Sequence, residues 1–413
     1  MGPAAKLFAL LTIATFFEGF DTRLVSLVQP VIGREFGASR EELGYVVGLS
    51  SLGMIFAFFV IRLADRLGRR PVFLGALASY AVLTLATAFA PNLVVFTALQ
   101  VFARMAMVVE LGLAYLILSE EMPAEIRGRV NGVFGGCVAL GASVPDALLH
   151  PLTSAGMGWR GLFLIGAVPL LLLPFYFSNL PETSAFRARR AREGAGPKDH
   201  PERLRFGALL SADHLRNLVL VTTIWLVVNF WSGTALYSFT LYVFEERSWS
   251  ARDLVVLPLG TIPCGLLGYA LAGFAMDRMG RRRAACLYLV AAWAATLLCY
   301  QTASSASILA GYFALIGLGG VWAIVTTWTA ELFPTELRAT ASGFANNLVG
   351  RLGLVLGPIV VGQLGGALDS TADAVALLGF APLMVLPIVL MLPETNASSL
   401  EPGDTPGLPD GIS

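Results

Sequence analysis

Hydrophobic residues of the 413-residue chain fall into twelve long runs that short polar segments separate. A bilayer core of about 30 Å requires about 20 apolar residues in a helix that crosses it, and each run meets or approaches that length. Ten-residue segments of alternating polarity, typical of membrane barrels, are missing. Because a helix satisfies its own backbone hydrogen bonds, the pattern predicts an all-α membrane protein with twelve transmembrane helices, at residues 7–33, 43–63, 71–90, 92–120, 130–154, 161–180, 217–244, 254–275, 284–303, 305–332, 340–366 and 373–392.

The composition excludes a soluble protein. Apolar residues make up 56% of the chain and charged residues only 14%, against about 25% charged residues in an average soluble domain. Too few polar side chains remain to cover a soluble surface. The 28 basic residues balance the 28 acidic residues, so we expect the lipid bilayer as a partner and no nucleic acid.

The residue types that hold metals and cofactors are scattered. Four cysteines stand in apolar runs without CxxC spacing, and the three histidines do not cluster. The chain has neither a GxxxxGK[ST] motif nor a visible set of nucleophile, base and acid. We therefore expect no metal, no cofactor, no enzymatic activity and no direct use of ATP.

Arginine and lysine are distributed unequally between the two sides of the predicted membrane. If the N-terminus is inside, the inside loops hold 12 of these residues and the polar linker 181–216 holds eight, whereas the outside loops hold five. Basic residues accumulate on the cytoplasmic side of membrane proteins. The distribution predicts a multi-pass protein of the cell inner membrane with both termini in the cytoplasm.

Three short patterns recur in the second half of the chain, at offsets of 212, 211 and 212 residues. Each copy stands at a predicted helix end on the same side of the membrane, so the spacing indicates duplication of a six-helix unit. The pairs are Ala64–Arg70 with Met276–Arg282, Glu120–Gly132 with Glu331–Gly343, and Pro181–Thr183 with Pro393–Thr395.

The repeat divides the chain into four segments. We expect an N-terminal six-helix bundle at 1–183, a basic cytoplasmic linker at 184–214, a C-terminal six-helix bundle at 215–396 and a flexible cytoplasmic tail at 397–413. Four arginines of the linker lie within residues 187–192. They suit a solvated loop near anionic lipid; a docking site for a regulator is the alternative.

The loop motifs resemble those of a known family. Asp65–Arg70 matches the loop motif of the major facilitator superfamily, and Asp277–Arg282 repeats it. The chain resembles a transporter of this superfamily over essentially all twelve spans, which implies two pseudo-symmetric six-helix bundles. The family usually has glycine four residues before the aspartate. Gly273 matches this pattern in the second half. In the first half the same position holds Ile61, so the small residue that tight helix packing uses is missing there.

Charged residues on the predicted inner face form two matching groups. Arginines and acids of each group would lie close together and could latch the inner ends of the two bundles. Exposed pairs contribute only about 0–1 kcal/mol each, so such a gate needs many of them; the alternative is that these arginines only set the topology. The gate residues are Asp65, Arg69, Arg70, Glu120, Arg127 and Glu182 in the first half and Asp277, Arg281, Arg282, Glu331, Arg338 and Glu394 in the second.

Narrower patterns resemble the branch of sugar porters, aromatic-acid:proton symporters and organic-ion transporters. They are the Glu-x-x-Pro-x-x-x-Arg patterns, the Pro-Glu-Thr triplets and Gly19–Thr22. This resemblance implies that Asp21 is the proton acceptor, with Arg104 beside it as modulator. Glu18, one turn away, would share the titration or contact the substrate. The alternative is a fixed structural ion pair, because a charge at mid-bilayer needs a partner or a cavity.

Cavities in this family form from spans one, four, seven and ten with their neighbours. Aromatic walls with a few hydrogen-bonding groups suit a small, partly apolar ligand, and the Arg351 guanidinium suits a carboxylate. Packing of the tryptophans and pairing of Arg351 with a protein acid are the alternatives. We expect the substrate-binding residues to be Glu110, Trp225, Asn229, Trp231, Tyr237, Trp322, Thr326, Asn347 and Arg351.

Arg23, Asp146 and His150 have no counterpart in the resembling families. Asp146 and His150 stand one turn apart. They would form either a pH-sensitive pair at the outer mouth or a hydrogen bond near the interface.

These residues predict a monomeric secondary active transporter that couples a small organic solute, favoured as an aromatic acid, to protons by alternating access. An organic-cation or drug exporter, dependent on Glu18 and Glu110, is one alternative. A sugar porter is another, although Asn229–Gly233 lacks both glutamines of the usual sugar-porter motif. A substrate-sensing receptor would need a further domain, which the short tail does not supply.

Overall fold

A computed structural model describes residues 3–122, 124–184, 186–187 and 209–395 of the chain. All regular structure in these residues is helical, as the apolar runs predict. Most of the predicted linker 184–214 and the whole predicted tail 397–413 lie outside the described residues. Within them, eleven helical segments are long and apolar enough to cross a membrane. The first helix, Pro3–Phe36, carries Glu18, Asp21 and Arg23 in its middle. Counted together with the eleven others, it gives twelve spans.

Spans 1 to 6 form the first half of the molecule. Their helices are Pro3–Phe36 (span 1), Arg40–Ser50 and Leu52–Ile61 (span 2), Arg69–Thr87 (span 3), Leu93–Glu121 (span 4), Ala124–Ser154 (span 5), and Gly158–Gly166 and Pro169–Asn179 (span 6). The short helix Leu63–Leu67 connects spans 2 and 3.

Spans 7 to 12 form the second half. Their helices are Ala212–Ala235 and Phe239–Glu245 (span 7), Leu257–Met279 (span 8), Arg281–Tyr300 (span 9), Ser305–Leu318 and Val321–Glu331 (span 10), Thr335–Ser342, the π-helix Gly343–Gly350 and Leu352–Leu368 (span 11), and Thr371–Leu378, Ala381–Met384 and Leu386–Met391 (span 12). A 3₁₀ turn, Asp253–Val256, precedes span 8.

The sequence repeat has a physical counterpart at the start of spans 3 and 9. Gly68 and Gly280 precede these helices with φ of 107° and 85°, a region that favours glycine. Glu182 accepts the backbone N–H groups of Arg69 and Arg70, at 3.0 and 3.2 Å. Glu394 accepts those of Arg281 and Arg282 in the same way, at 2.8 and 3.1 Å. The Pro-Glu-Thr glutamates therefore cap the helices that the loop motifs begin.

Ile61 is accommodated by a glycine on the facing helix. A Cβ atom on Gly112 of span 4 would lie 3.1 Å from the Cδ1 atom of Ile61. The small residue of this contact thus stands on span 4 instead of span 2. At the corresponding place in the second half, a Cβ atom on Gly273 would meet nothing within 4 Å.

The two halves meet along spans 2 and 11. Gly44 lies against the Pro358 carbonyl oxygen, where an added Cβ would approach to 2.6 Å, and Gly48 lies equally close to the Val355 carbonyl oxygen. Small residues allow such backbone approach between membrane helices. Replacing either glycine would push the halves apart.

Hydrogen bonds that join described residues of the two halves lie on one side of the molecule. We call the end with Arg69 and Arg281 the arginine-rich end and the opposite one the far end. At the far end, Arg40 bonds Glu245 at 2.9 Å and Asp369 at 2.7 Å, and it donates to the Gly365 carbonyl oxygen at 3.4 Å. The remaining bonds between described residues of different halves also lie between the membrane middle and the far end; they join Arg23 to Thr240, Tyr45 to Gln363 and Ser143 to Thr261. The halves are thus tied together at the far end.

Candidate functional site

Asp21 lies in the middle of span 1 and faces the inside of the first half. Thr84 of span 3 donates its hydroxyl to Oδ2 of Asp21 at 2.9 Å. The other oxygen, Oδ1, has no hydrogen-bond partner in the described residues. A Cβ atom on Gly166 of span 6 would lie 2.1 Å from Oδ1, so this glycine leaves the space that the carboxyl group occupies.

Arg104 of span 4 is buried and turns toward the other half. Its Nη2 donates to the Thr22 carbonyl oxygen at 3.4 Å, and its guanidinium carbon lies 5.7 Å from the centre of the Tyr237 ring. Its Nε and Nη1 have no partner in the described part of the chain. The predicted contact between Asp21 and Arg104 is not made in this structure, because Asp21 turns toward spans 3 and 6 while Arg104 turns toward span 7.

Glu18 stands between these two environments. Thr22 donates its hydroxyl to Oε1 of Glu18 at 3.1 Å, and Oε2 has no partner among the described residues. Arg351 and Arg104 are its charged neighbours of opposite sign. Glu18 therefore lies near two arginines, one from each half.

Glu110 is fully buried within the first half. Neither of its carboxyl oxygens has a hydrogen-bond partner in the described residues, and the same holds for the hydroxyl of the buried Tyr80. The titratable side chains close enough to interact with its charge are those of Tyr80, Tyr176 and Glu18. This position does not suit the predicted contact with a substrate between the halves.

Arg351 follows a π-helix that the sequence analysis missed. The backbone N–H of Arg351 bonds the carbonyl of Asn346, five residues earlier, at 2.9 Å. Its side chain is half-buried, and its Nη1 has no partner in the described residues. Glu18 and Tyr237 are its electrostatic neighbours, but no described carboxylate forms an ion pair with it. Single π-helical turns recur at functional sites; the glycines that bound this one, Gly343 and Gly350, are the only sequence hint.

Three residues predicted to bind the substrate are buried inside the second half. Trp225 donates its indole N–H to Thr329 and Trp231 donates its own to Thr296, both at 3.0 Å. Asn229 donates to the side-chain oxygen of Asn346 in the π-helix at 3.4 Å. Both tryptophans thus use their polar atom for packing within the bundle, as the alternative for these residues predicts.

Four other predicted residues are more accessible. Tyr237, Trp322 and Asn347 are half-buried and Thr326 is exposed. The indole N–H of Trp322 has no partner in the described part of the molecule, whereas Thr326 donates its hydroxyl to the Trp322 carbonyl at 2.7 Å. Trp322 therefore keeps a free donor.

Arg23 and Asp146 form an ion pair that the sequence analysis did not anticipate. The Nη2 of Arg23 lies 2.9 Å from Oδ1 of Asp146, so Asp146 pairs with span 1 and not with His150. The same Nη2 donates to Thr240 of span 7 at 3.1 Å. No motif marks these residues, because they meet only through the packing of three spans.

At the arginine-rich end, each predicted gate group forms contacts within its own half. Arg69 pairs with Glu120 at 3.1 Å, and Arg281 pairs with Glu331 at 2.6 Å. Asp277 is exposed and is an electrostatic neighbour of Arg281. The other described arginines donate to backbone carbonyls: Arg70 to Phe177, Arg282 to Leu392 and Arg338 to Phe333. The side chains of Asp65 and Arg127 lie outside the described residues.

Comparisons with known proteins agree with this architecture. The profile of the Major Facilitator Superfamily matches residues 11–358 and 259–410. The niacin transporter NiaP of Acinetobacter baylyi is 26% identical over 93% of each chain. The gentisate transporter of Corynebacterium glutamicum is 29% identical over 88% of this chain and 82% of its own. The crystal structure of a D-xylose-proton symporter superposes with a TM-score of 0.74 at 16% identity, covering 96% of this chain and all of that one. The chain is therefore a multi-pass membrane transporter, not an enzyme, and belongs to the Major Facilitator Superfamily.

Proposed function

We propose that this transporter carries a small aromatic carboxylate together with protons by alternating access. The observation that carries the proposal is a pair of guanidinium groups from opposite halves, the buried Arg104 and the half-buried Arg351, which form no ion pair with any described carboxylate. A buried charge without a counter-charge is costly. A substrate carboxylate between the halves would supply that charge and accept paired hydrogen bonds.

The aromatic part of the substrate would contact half-buried side chains of the second half. Tyr237 already lies over Arg104, and Trp322 offers an indole N–H without a partner in the described residues. Asn347 and Thr326 supply further polar groups. The buried residues Trp225, Asn229 and Trp231 would support the site without contacting the substrate. Asn229, for example, hydrogen-bonds the π-helix that leads to Arg351.

The relatives support this substrate class. Niacin and gentisate, which the named relatives transport, are both aromatic carboxylates. The likeness to the xylose symporter concerns the fold alone. An organic-cation exporter is less well supported, because Glu110 is sealed inside the first half and Glu18 lies near two arginines.

Asp21 is the proposed proton acceptor. In the present conformation it contacts Thr84 and lies apart from Arg104. In a conformation that brings them together, Arg104 would favour the charged form of the carboxyl group. Separation would then favour proton uptake, and Glu18 would respond to the same movement through Arg104 and Arg351.

The proposal also covers the orientation in the membrane, the two bundles and the gate. The arginine distribution supports an inner-membrane protein with cytoplasmic termini, which makes the arginine-rich end cytoplasmic. We propose bundles at 1–183 and 215–396, a monomeric state, and a cytoplasmic gate built from the two arginine–glutamate groups.

The variant Asp277→Asn tests the gate. It should change both the transport rate and the ratio of inward-open to outward-open conformations, and a variant with both unchanged would contradict the gate.

Uptake into proteoliposomes tests the function directly. With an inside-alkaline pH gradient, labelled nicotinate or gentisate should accumulate, whereas xylose and tetraethylammonium should not. Arg351→Gln should abolish binding of the acid, and Arg351→Lys should restore part of it, because lysine keeps the charge and loses the paired geometry. Accumulation of the cation or sugar in place of the acid would contradict the proposal.

A further inference from the structure

A groove with two arginines on its rim opens on the outside of the first half, at the arginine-rich end. Its volume is about 590 Å³. It lies between the start of span 3 and the segment that follows span 6. The residues that line it are Leu67, Arg70, Pro71, Leu74, Gly75, Phe177, Glu182, Phe186 and Arg187.

One part of the groove is apolar and faces outward. Leu67 is 60% exposed and Phe177 is 51% exposed. A Cβ atom on Gly75 would meet nothing within 4 Å, so the floor is open at this residue. In a protein that crosses the bilayer, apolar side chains exposed on the outside of a bundle lie against acyl chains. The chemistry of this part of the groove therefore suits a hydrocarbon chain.

The other part of the groove is basic. The Nη2 of Arg70 donates to the Phe177 carbonyl oxygen at 2.6 Å, while its buried Nε has no partner in the described residues. Arg187 is exposed on the segment after span 6.

Glu182 is the one acid in the lining, so the two arginines leave the groove with a net positive charge. Both oxygens of Glu182 accept backbone N–H groups, from Arg69, Arg70 and Thr183. Its lone pairs therefore point into the helix cap, and the guanidinium groups of Arg70 and Arg187 remain available for an anion.

We propose that this groove binds an anionic phospholipid, with the phosphate between Arg70 and Arg187 and one acyl chain along Leu74, Gly75 and Phe177. A phosphate group suits paired guanidinium donors, and each arginine near a membrane surface contributes about 1 kcal/mol to the attraction of anionic lipid. A free phosphate ion would leave the apolar part uncovered. The groove shares Arg70 and Glu182 with the proposed gate, but the lipid proposal does not rest on the proposed substrate.

Thermal unfolding of the purified full-length protein in detergent tests this site. The probes are dioleoyl-phosphatidylglycerol, dioleoyl-phosphatidylcholine and sn-glycerol 3-phosphate, each titrated separately. Phosphatidylglycerol should raise the Tm more than phosphatidylcholine, and glycerol phosphate should not raise it. Arg187→Gln should weaken the apparent affinity for phosphatidylglycerol about fivefold, since it removes one such arginine. Gly75→Leu, which fills the floor, should weaken it as well.

Two variants of the second half serve as matched controls. Arg283 is an exposed arginine at the same end, and a Cβ atom on Gly273 also meets nothing within 4 Å. Arg283→Gln and Gly273→Leu should keep the full response. If Gly75→Leu is unstable, lipid retention by native mass spectrometry of Arg187→Gln decides. Equal responses in all variants, equal losses in test and control variants, or a Tm rise with glycerol phosphate would each overturn the proposal.

Discussion

Arg23 and Asp146 form a bidentate ion pair between spans 1 and 5, with only 10% and 3% of their side chains exposed. Nε of Arg23 lies 3.2 Å from each Asp146 oxygen, and Nη2 lies 2.9 Å from Oδ1. The same Nη2 reaches Thr240 of the other half. One guanidinium group thus joins an ion pair inside the first half to a contact that must break when the halves separate at the far end.

Thr240→Val tests that contact alone. It removes the hydrogen bond between the halves and leaves the ion pair intact. One such bond contributes about 1 kcal/mol, so the population open at the far end should rise about fivefold. Spin-label distances across the far end measure this ratio. Thr234→Val is the matched control, because the Thr234 hydroxyl is buried on the same span without a partner in the described residues. Equal shifts in both variants would contradict the role of Thr240.

Asp146→Asn tests the ion pair. The change leaves the Arg23 guanidinium buried without a counter-charge, and breaking a buried pair from one side costs about 3–5 kcal/mol. We expect a clear fall in Tm. The double variant Arg23→Leu with Asp146→Leu should regain much of the loss, because no isolated charge remains. A single variant as stable as the parent would show that the pair does not contribute to stability.

Asp21→Asn tests proton coupling. The amide can still accept the Thr84 hydroxyl, so the fold should be retained, but it cannot take up a proton at physiological pH. Accumulation driven by a pH gradient should disappear while exchange of substrate across the membrane persists. Counterflow and gradient-driven uptake, measured in the same proteoliposomes, separate these two activities. Full accumulation by the variant would reject Asp21 as the proton acceptor.

Gly166→Ala tests the space around Asp21 without changing any charge. The added methyl group would lie within 2.1 Å of Oδ1, so the carboxyl group must move or span 6 must shift. We expect gradient-driven uptake to fall at least tenfold, since about 1.4 kcal/mol of displacement energy has that effect. Gly136→Ala, whose methyl group would approach Leu266 only to 4.0 Å, should behave like the parent.

Gly280→Ala tests the cap that Glu394 forms at the start of span 9. Alanine is strained at a φ of 85°, and its methyl group would lie 2.6 Å from the capping oxygen of Glu394. Strain of this kind costs about 1–3 kcal/mol, which a fall in Tm should report. Gly265→Ala, in a helix with 3.6 Å to the nearest atom, is the control. If both variants unfold at the parent temperature, the cap does not contribute to stability.

The sequence alone determined the class of protein, the number of spans and the repeated loop motifs. These features depend on local properties: an apolar run must be long enough to cross the bilayer, and a repeated motif can be recognised by its spacing along the chain. Tertiary structure alone decided which polar side chains meet. A helix residue turns by about 100° relative to its neighbour, so Asp21 reaches Thr84 instead of Arg104, and Asp146 reaches Arg23 instead of His150. Those partners depend on how whole helices rotate and pack, and no local pattern encodes that rotation.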